Sequence, residues 1–112
     1  MRSKGNSPTA EQKRWREAVR DLGSVISGEP AVIHHPVGVS GKHNKVHIGN
    51  WWLIPLSDDE HKLLHNGETF GYESRKEFEK AKFIEDVAPS AEWNEEMQLP
   101  SDVISAICDY HI

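Results

Sequence analysis

Eight of the chain's fourteen glycines and prolines fall between Gly23 and Pro55, at Gly23, Gly28, Pro30, Pro36, Gly38, Gly41, Gly49 and Pro55. The longest run between two of them is the seven residues from Lys42 to Ile48. An average helix needs about 11–12 residues. Proline removes a helical donor and glycine weakens helices, so this third of the chain is confined to short strands and turns. "AVIHH" (31–35) and "NWWLIPL" (50–56) are the strand-like pieces, with Pro55 expected to end the second. The glycine-rich 36–49 between them reads as a long loop, and long loops in compact domains tend to be functional.

Helical grammar flanks this segment. Ser7 or Thr9 can cap a helix over 7–23, with Pro8 suited to its first turn and Gly23 as its stop. Trp15, Ala18, Val19 and Leu22 make its apolar stripe. Lys13, Arg14, Arg16 and Arg20 lie mostly off that stripe, on a face that is either solvated or turned to phosphate. Ser57 and Glu60 are spaced as a capping box for a helix ending at Gly67. Ser74 and Glu77 repeat the spacing before Phe78, Ala81, Ile84, Val87 and Ala88, which Pro89 follows. A last short helix starts at Ser101; its Val103, Ile104, Ile107 and Cys108 can face the core or a second copy in a homodimer. The expectation is one α+β domain over 1–112. Residues 1–6 are disordered, 7–23 helical, 31–67 a strand–loop–strand–helix unit, and 74–112 helical.

One cysteine, Cys108, excludes a disulfide within the chain and suits a reducing cytosol. No apolar run approaches the ~20 residues of a membrane span, and "MRSKGNSP" lacks the apolar stretch of a signal peptide. The net charge of -5 is unevenly spread: residues 1–47 hold eight Lys/Arg against four Asp/Glu, and residues 48–112 hold five against fourteen. A basic front half can bind phosphate locally despite an acidic whole.

Six of the seven histidines lie between Ile33 and His65. His61 and His65 are one helical turn apart and can address one ion. His34 and His35 are adjacent, and successive strand residues point to opposite faces, so one can bind metal while the other moves a proton.

The order of these parts resembles a known family. The histidine pair is followed by Asn50, fifteen residues after His35, then by "IPL" and a helix with His-x-x-x-His. This arrangement resembles HNH nucleases of the ββα-metal (His-Me finger) fold, colicin-type domains included. It is more similar to small phage and prophage HNH proteins of the recombination-nuclease type. The matching segments read "KRWREAVRDLGSVISGEP", "IHH" and "IPLSDDEHKLLH", and the resemblance covers roughly residues 13–70. It implies a ββα-metal core with flanking helices. It implies one divalent ion (Mg²⁺, Mn²⁺, Zn²⁺ or Ni²⁺) on His34, His61 and His65, with His35 as general base and Asn50 orienting it. The partner implied is DNA, met mostly through its backbone, with a phage or host recombination protein as a further candidate. Lys42, His43, Lys45 and His47 are loop candidates for phosphate contact, or simply solvated.

The chain departs from the family where relatives carry a structural zinc knuckle. Ser24, Ser27, Ser57 and Glu60 occupy the ligand places, and neutral serine does not replace thiolate on zinc. No structural zinc is expected; Val25, Ile26, Val32 and Leu56 are expected to fill its space. The leading reading is a metal-dependent DNA endonuclease. A catalytically weak or inactive DNA-binding accessory and a purely structural metal module are the alternatives.

Overall fold

The computed structural model describes residues 9–38, 41–43, 45–90 and 101–110. The expected disorder of 1–6, the cap candidate Ser7, the first-turn Pro8, and parts of the expected C-terminal helices (91–100 and 111–112) lie outside the described residues. Among the described residues the architecture is α+β: four short strands in two two-stranded antiparallel sheets, with helices around them. No described helix is long and apolar enough to cross a membrane.

Helix α1 is Ala10–Leu22. Thr9 caps it, its hydroxyl accepting from Gln12 N–H while the Gln12 side chain returns to the Thr9 N–H. Trp15 and Val19 are fully buried, and Lys13, Arg14, Arg16 and Arg20 are all exposed. The Trp15 indole N–H donates to the Trp51 carbonyl at 2.6 Å, tying α1 to the turn before the second long-range strand. Gly23 ends the helix at φ +79; a Cβ there would lie 2.8 Å from the Gly28 carbonyl oxygen, so only glycine fits.

Strand β1 (Val32–His34) pairs with β4 (Ile54–Leu56), with His34 opposite Ile54 and Ile33 opposite Pro55. Pro55 therefore sits inside the strand rather than ending it. Having no N–H, it occupies a position whose backbone points away from β1, and its carbonyl accepts from Val25 N–H at 3.1 Å. The rest of "NWWLIPL" is not strand: Asn50 and Trp51 form a turn, and the Trp51 and Trp52 N–H groups both donate to the Ile48 carbonyl. Trp52 is fully buried in the core, as its size dictates.

The expected loop 36–49 is not wholly irregular. It contains a minimal hairpin, β2 (Lys42–His43) with β3 (Val46–His47). Lys45 turns the corner at φ +67. The ladder is two pairs long and has no alternating pattern, which hides it from periodicity.

Helix α2 (Asp58–His65) follows β4 and packs on the β1–β4 ribbon. Its capping box is formed by Ser57 and Glu60, as expected, and Gly67 follows the cap residue Asn66 at φ +106. Helix α3 (Arg75–Lys82), capped by Ser74, runs into a π-helical turn (Phe83–Val87) and a short α4 (Ala88–Ser90). Pro89 lies inside this run instead of beyond it. In a regular helix its ring would press on the carbonyl four residues back; the wider preceding turn opens that space. Phe83 and Val87 are fully buried with Phe78, while Ile84 is only half-buried. Helix α5 (Ser101–Asp109) buries Val103, Ala106 and Ile107 and leaves Cys108 exposed.

One cluster of buried residues joins α1, the ribbon, α2, α3 and α5, with Trp15, Trp52, Phe78 and Phe83 as its largest members. Two of the four residues expected to fill the knuckle space do not. Leu56 is fully buried and Val25 half-buried, but Ile26 and Val32 are 41% and 40% exposed.

Candidate metal centre

The β1–β4 ribbon and α2 bring three imidazoles to one point. His34 ends β1 with its side chain inward, 2% exposed. His61 and His65, one turn apart, face it from α2; His61 is half-buried and His65 exposed. His34 Nδ1 lies 3.1 Å from His61 Nε2, which lies 3.1 Å from His65 Nε2. A ligand atom from each of the three falls within 4.8 Å of the others.

These distances suit a metal ion. Zinc–imidazole bonds of about 2.0–2.1 Å at tetrahedral angles put ligand nitrogens about 3.3–3.4 Å apart. Hydrogen bonds alone serve the cluster poorly. His61 Nε2 touches two other nitrogens, and one hydrogen on it cannot satisfy both with good geometry. A cation at the centre satisfies all three lone pairs at once. Three protein ligands with an exposed third member leave coordination positions open to solvent, which is the pattern of catalytic rather than structural zinc sites.

A residue that sequence reasoning missed completes the surroundings. Glu79, on α3, is fully buried, and its Oε2 accepts from His34 Nε2 at 2.5 Å. Arg75 Nε donates to the same oxygen at 3.1 Å, and Lys76 Nζ lies 3.4 Å from Oε1 without hydrogen-bond geometry. Burial by itself would raise the Glu79 pKa, but the His34 hydrogen bond and the two cations hold the carboxyl below the usual carboxylate range. Lys76 also donates to the Pro36 carbonyl at 2.7 Å, fastening α3 to the chain just past the histidine pair. The sequence carries no local signal for Glu79, which lies beside the expected apolar stripe of Phe78, Ala81, Ile84, Val87 and Ala88.

His35 follows the strand and is half-buried. Burial, then the positive charges of Arg16, His34 and His61, hold its pKa below the ordinary imidazole value, so it is neutral and able to accept a proton at neutral pH. His61 is lowered as well, chiefly by burial and then by its two histidine neighbours. Asn50, half-buried in the turn before β4, makes no hydrogen bond to His35 among the described residues. Lys42, Lys45 and His47 are exposed on the β2–β3 hairpin and make no hydrogen bond or ion pair to the histidine cluster. His43 packs edge-on against Tyr110 at 5.5 Å, anchoring the hairpin to the residue after α5.

At the other end of α2, the residues at the knuckle places converge without thiolates. The Ser24 hydroxyl donates to Glu60 Oε1 at 2.5 Å, and the Ser57 N–H donates to the same oxygen at 2.8 Å. Ser24 Oγ in turn accepts from the N–H groups of Ile26 and Ser27. Burial works against the Glu60 charge, but these donors, with a hydrogen bond from the Ser27 side chain, keep its pKa below the usual range.

Comparison with known proteins finds no matching family model, no matching characterised protein and no matching solved structure.

Proposed function

We propose that the chain is a metal-dependent DNA endonuclease of HNH type, built on a ββα-metal core. The observation that carries this reading is the convergence of the His34, His61 and His65 nitrogens beside a neutral histidine, His35, that is free of the cluster. A purely structural centre has no use for the neighbouring base. His34, His61 and His65 would hold a divalent ion, which when bound would supply Lewis-acid stabilisation of the scissile phosphate and of the leaving oxygen.

The chain's own residues supply the rest. His35 takes the proton from an attacking water at an imidazole nitrogen. Asn50 orients His35; such contacts often tighten only when substrate is bound. Lys42, His43, Lys45 and His47 present the hairpin to the DNA backbone, and Arg16 adds positive charge on the α1 side of His35. Binding that rests on backbone phosphates is weakly sequence-dependent and falls steeply with salt.

A catalytically weak DNA-binding accessory is the second reading. It is favoured by the missing hydrogen bond between Asn50 and His35.

Supercoiled plasmid incubated with Mg²⁺, Mn²⁺ or Zn²⁺ separates the two. The nuclease reading expects nicking or linearisation that a chelator stops. His35→Ala should lose about 10²–10⁴-fold in rate while keeping its metal affinity. Unchanged plasmid with every ion, in the presence of DNA binding, would establish the accessory instead.

A further inference from the structure

We propose that Glu79 is the positioning residue of the metal centre: it fixes His34 as the Nε2–H tautomer and so presents Nδ1, rather than Nε2, to the ion. The proposal rests on the reading of the three histidines as metal ligands and extends it to a helix outside the ribbon–helix unit.

The argument starts from an anomaly. Glutamate is almost never fully buried unless it is paired, because desolvating a carboxylate is costly. Glu79 has no exposure at all. Its Oε2 receives two donors, His34 Nε2 and Arg75 Nε. Of the two, Arg75 is 41% exposed and remains largely in water, whereas His34 is 2% exposed. The buried partnership is therefore with the imidazole.

An ionised carboxylate can only accept, so the ring nitrogen facing it must carry the hydrogen. A neutral imidazole has one N–H, which leaves Nδ1 with its lone pair. That is the atom 3.1 Å from His61 Nε2, on the side of the cluster. The carboxylate also raises the basicity of the ring and holds its plane, as outer carboxylates do for metal-bound histidines. His34 thus has no freedom to present the wrong nitrogen, while His61 and His65 point Nε2 at the same place from α2. Lys76, bonded to the Pro36 carbonyl and 3.4 Å from Glu79 Oε1, keeps α3 in register with the end of β1.

The test reads the tautomer directly. In metal-free protein at a pH of about 8.5, where imidazoles are neutral, nitrogen–proton correlation spectra should show His34 as Nε2–H. Glu79→Gln keeps the shape but can donate as well as accept, so its His34 should become a mixture of tautomers. Zn²⁺ affinity should fall about 10–100-fold with the stoichiometry unchanged. Arg75→Gln, which removes only the exposed partner, should leave the tautomer intact and the affinity within about threefold. Should Glu79→Gln fail to fold, the wild-type spectrum still decides. A wild-type chain that binds Zn²⁺ but shows His34 as Nδ1–H overturns this proposal alone, as does a folded Glu79→Gln chain with undiminished affinity. A wild-type chain that takes up no Zn²⁺ overturns the metal centre itself, and the role of Glu79 with it.

Discussion

The two ends of helix α2 carry polar clusters of opposite kinds. At the N-terminal end, Glu60 Oε1 is met by the Ser24 hydroxyl and the Ser57 N–H, and Ser24 is itself met by two backbone donors. Each acceptor there has its donor, and nothing more is needed. At the C-terminal end, His34 Nδ1 and His65 Nε2 each lie 3.1 Å from His61 Nε2, a single ring position that can donate to or accept from only one of them with good geometry. The first cluster is closed and the second is open. Buried polar groups that are fully satisfied hold a fold together; converging imidazole nitrogens that cannot all be paired suit a cation. One short helix thus separates a cluster closed by hydrogen bonds from one whose nitrogens are placed to hold a metal ion.

The sharpest way to break this contrast is to remove one member of each cluster and compare. His61→Ala takes out the central nitrogen of the open cluster. If structural four-ligand zinc sites are worth about 10–16 kcal/mol, one ligand is worth roughly 3 kcal/mol. Zn²⁺ affinity by calorimetry should therefore fall about 100-fold or more, with little loss of metal-free stability, since His61 is only half-buried. Undiminished affinity would move the ion elsewhere. Glu60→Ala should do the reverse. It strands the Ser24 hydroxyl and the Ser57 N–H, which should cost about 1–3 kcal/mol in denaturant unfolding, without changing the number of ions bound. Ser57→Ala removes the helix cap alone and should cost about 0.5–2 kcal/mol, again releasing no ion. Smallest of all, Ile26→Ala and Val32→Thr should change stability by no more than about 0.5 kcal/mol, because both side chains are about 40% exposed. A loss of 2 kcal/mol at either would revive apolar filling as the substitute for the knuckle.

That last pair shows where sequence reasoning reached its limit. That serines and a glutamate stand where the resembled family carries zinc ligands is legible, because a residue's identity is local. How those residues pack is not. Apolar packing by Val25, Ile26, Val32 and Leu56 was the natural expectation, whereas Ser24, Ser57 and Glu60 bond to each other and leave Ile26 and Val32 outside. The helix caps Ser57 and Ser74, and Thr9 as one of two candidates with Ser7, are readable for the same local reason: a cap needs only a residue and its neighbour three positions on. The triad of His34, His61 and His65 came from the resemblance joined to the His-x-x-x-His period, and the structure brings the three together. Glu79 escaped because its partner is 45 residues away and the acid sits in an otherwise ordinary amphipathic helix. The β2–β3 hairpin escaped because two residues per strand carry no period. Pro55 reads as a stop in the sequence, but the rule that bars proline from strands yields when its backbone faces away from the partner.

Metal analysis of the intact chain tests the central claim most directly. Protein saturated with Zn²⁺ and freed of excess should carry one ion per chain by native mass spectrometry. His61→Ala should carry none under the same wash, and Glu60→Ala should still carry one. Two tightly held ions in the wild type, with the second surviving His61→Ala and lost in Glu60→Ala, would show that both ends of α2 bind metal and would contradict the account.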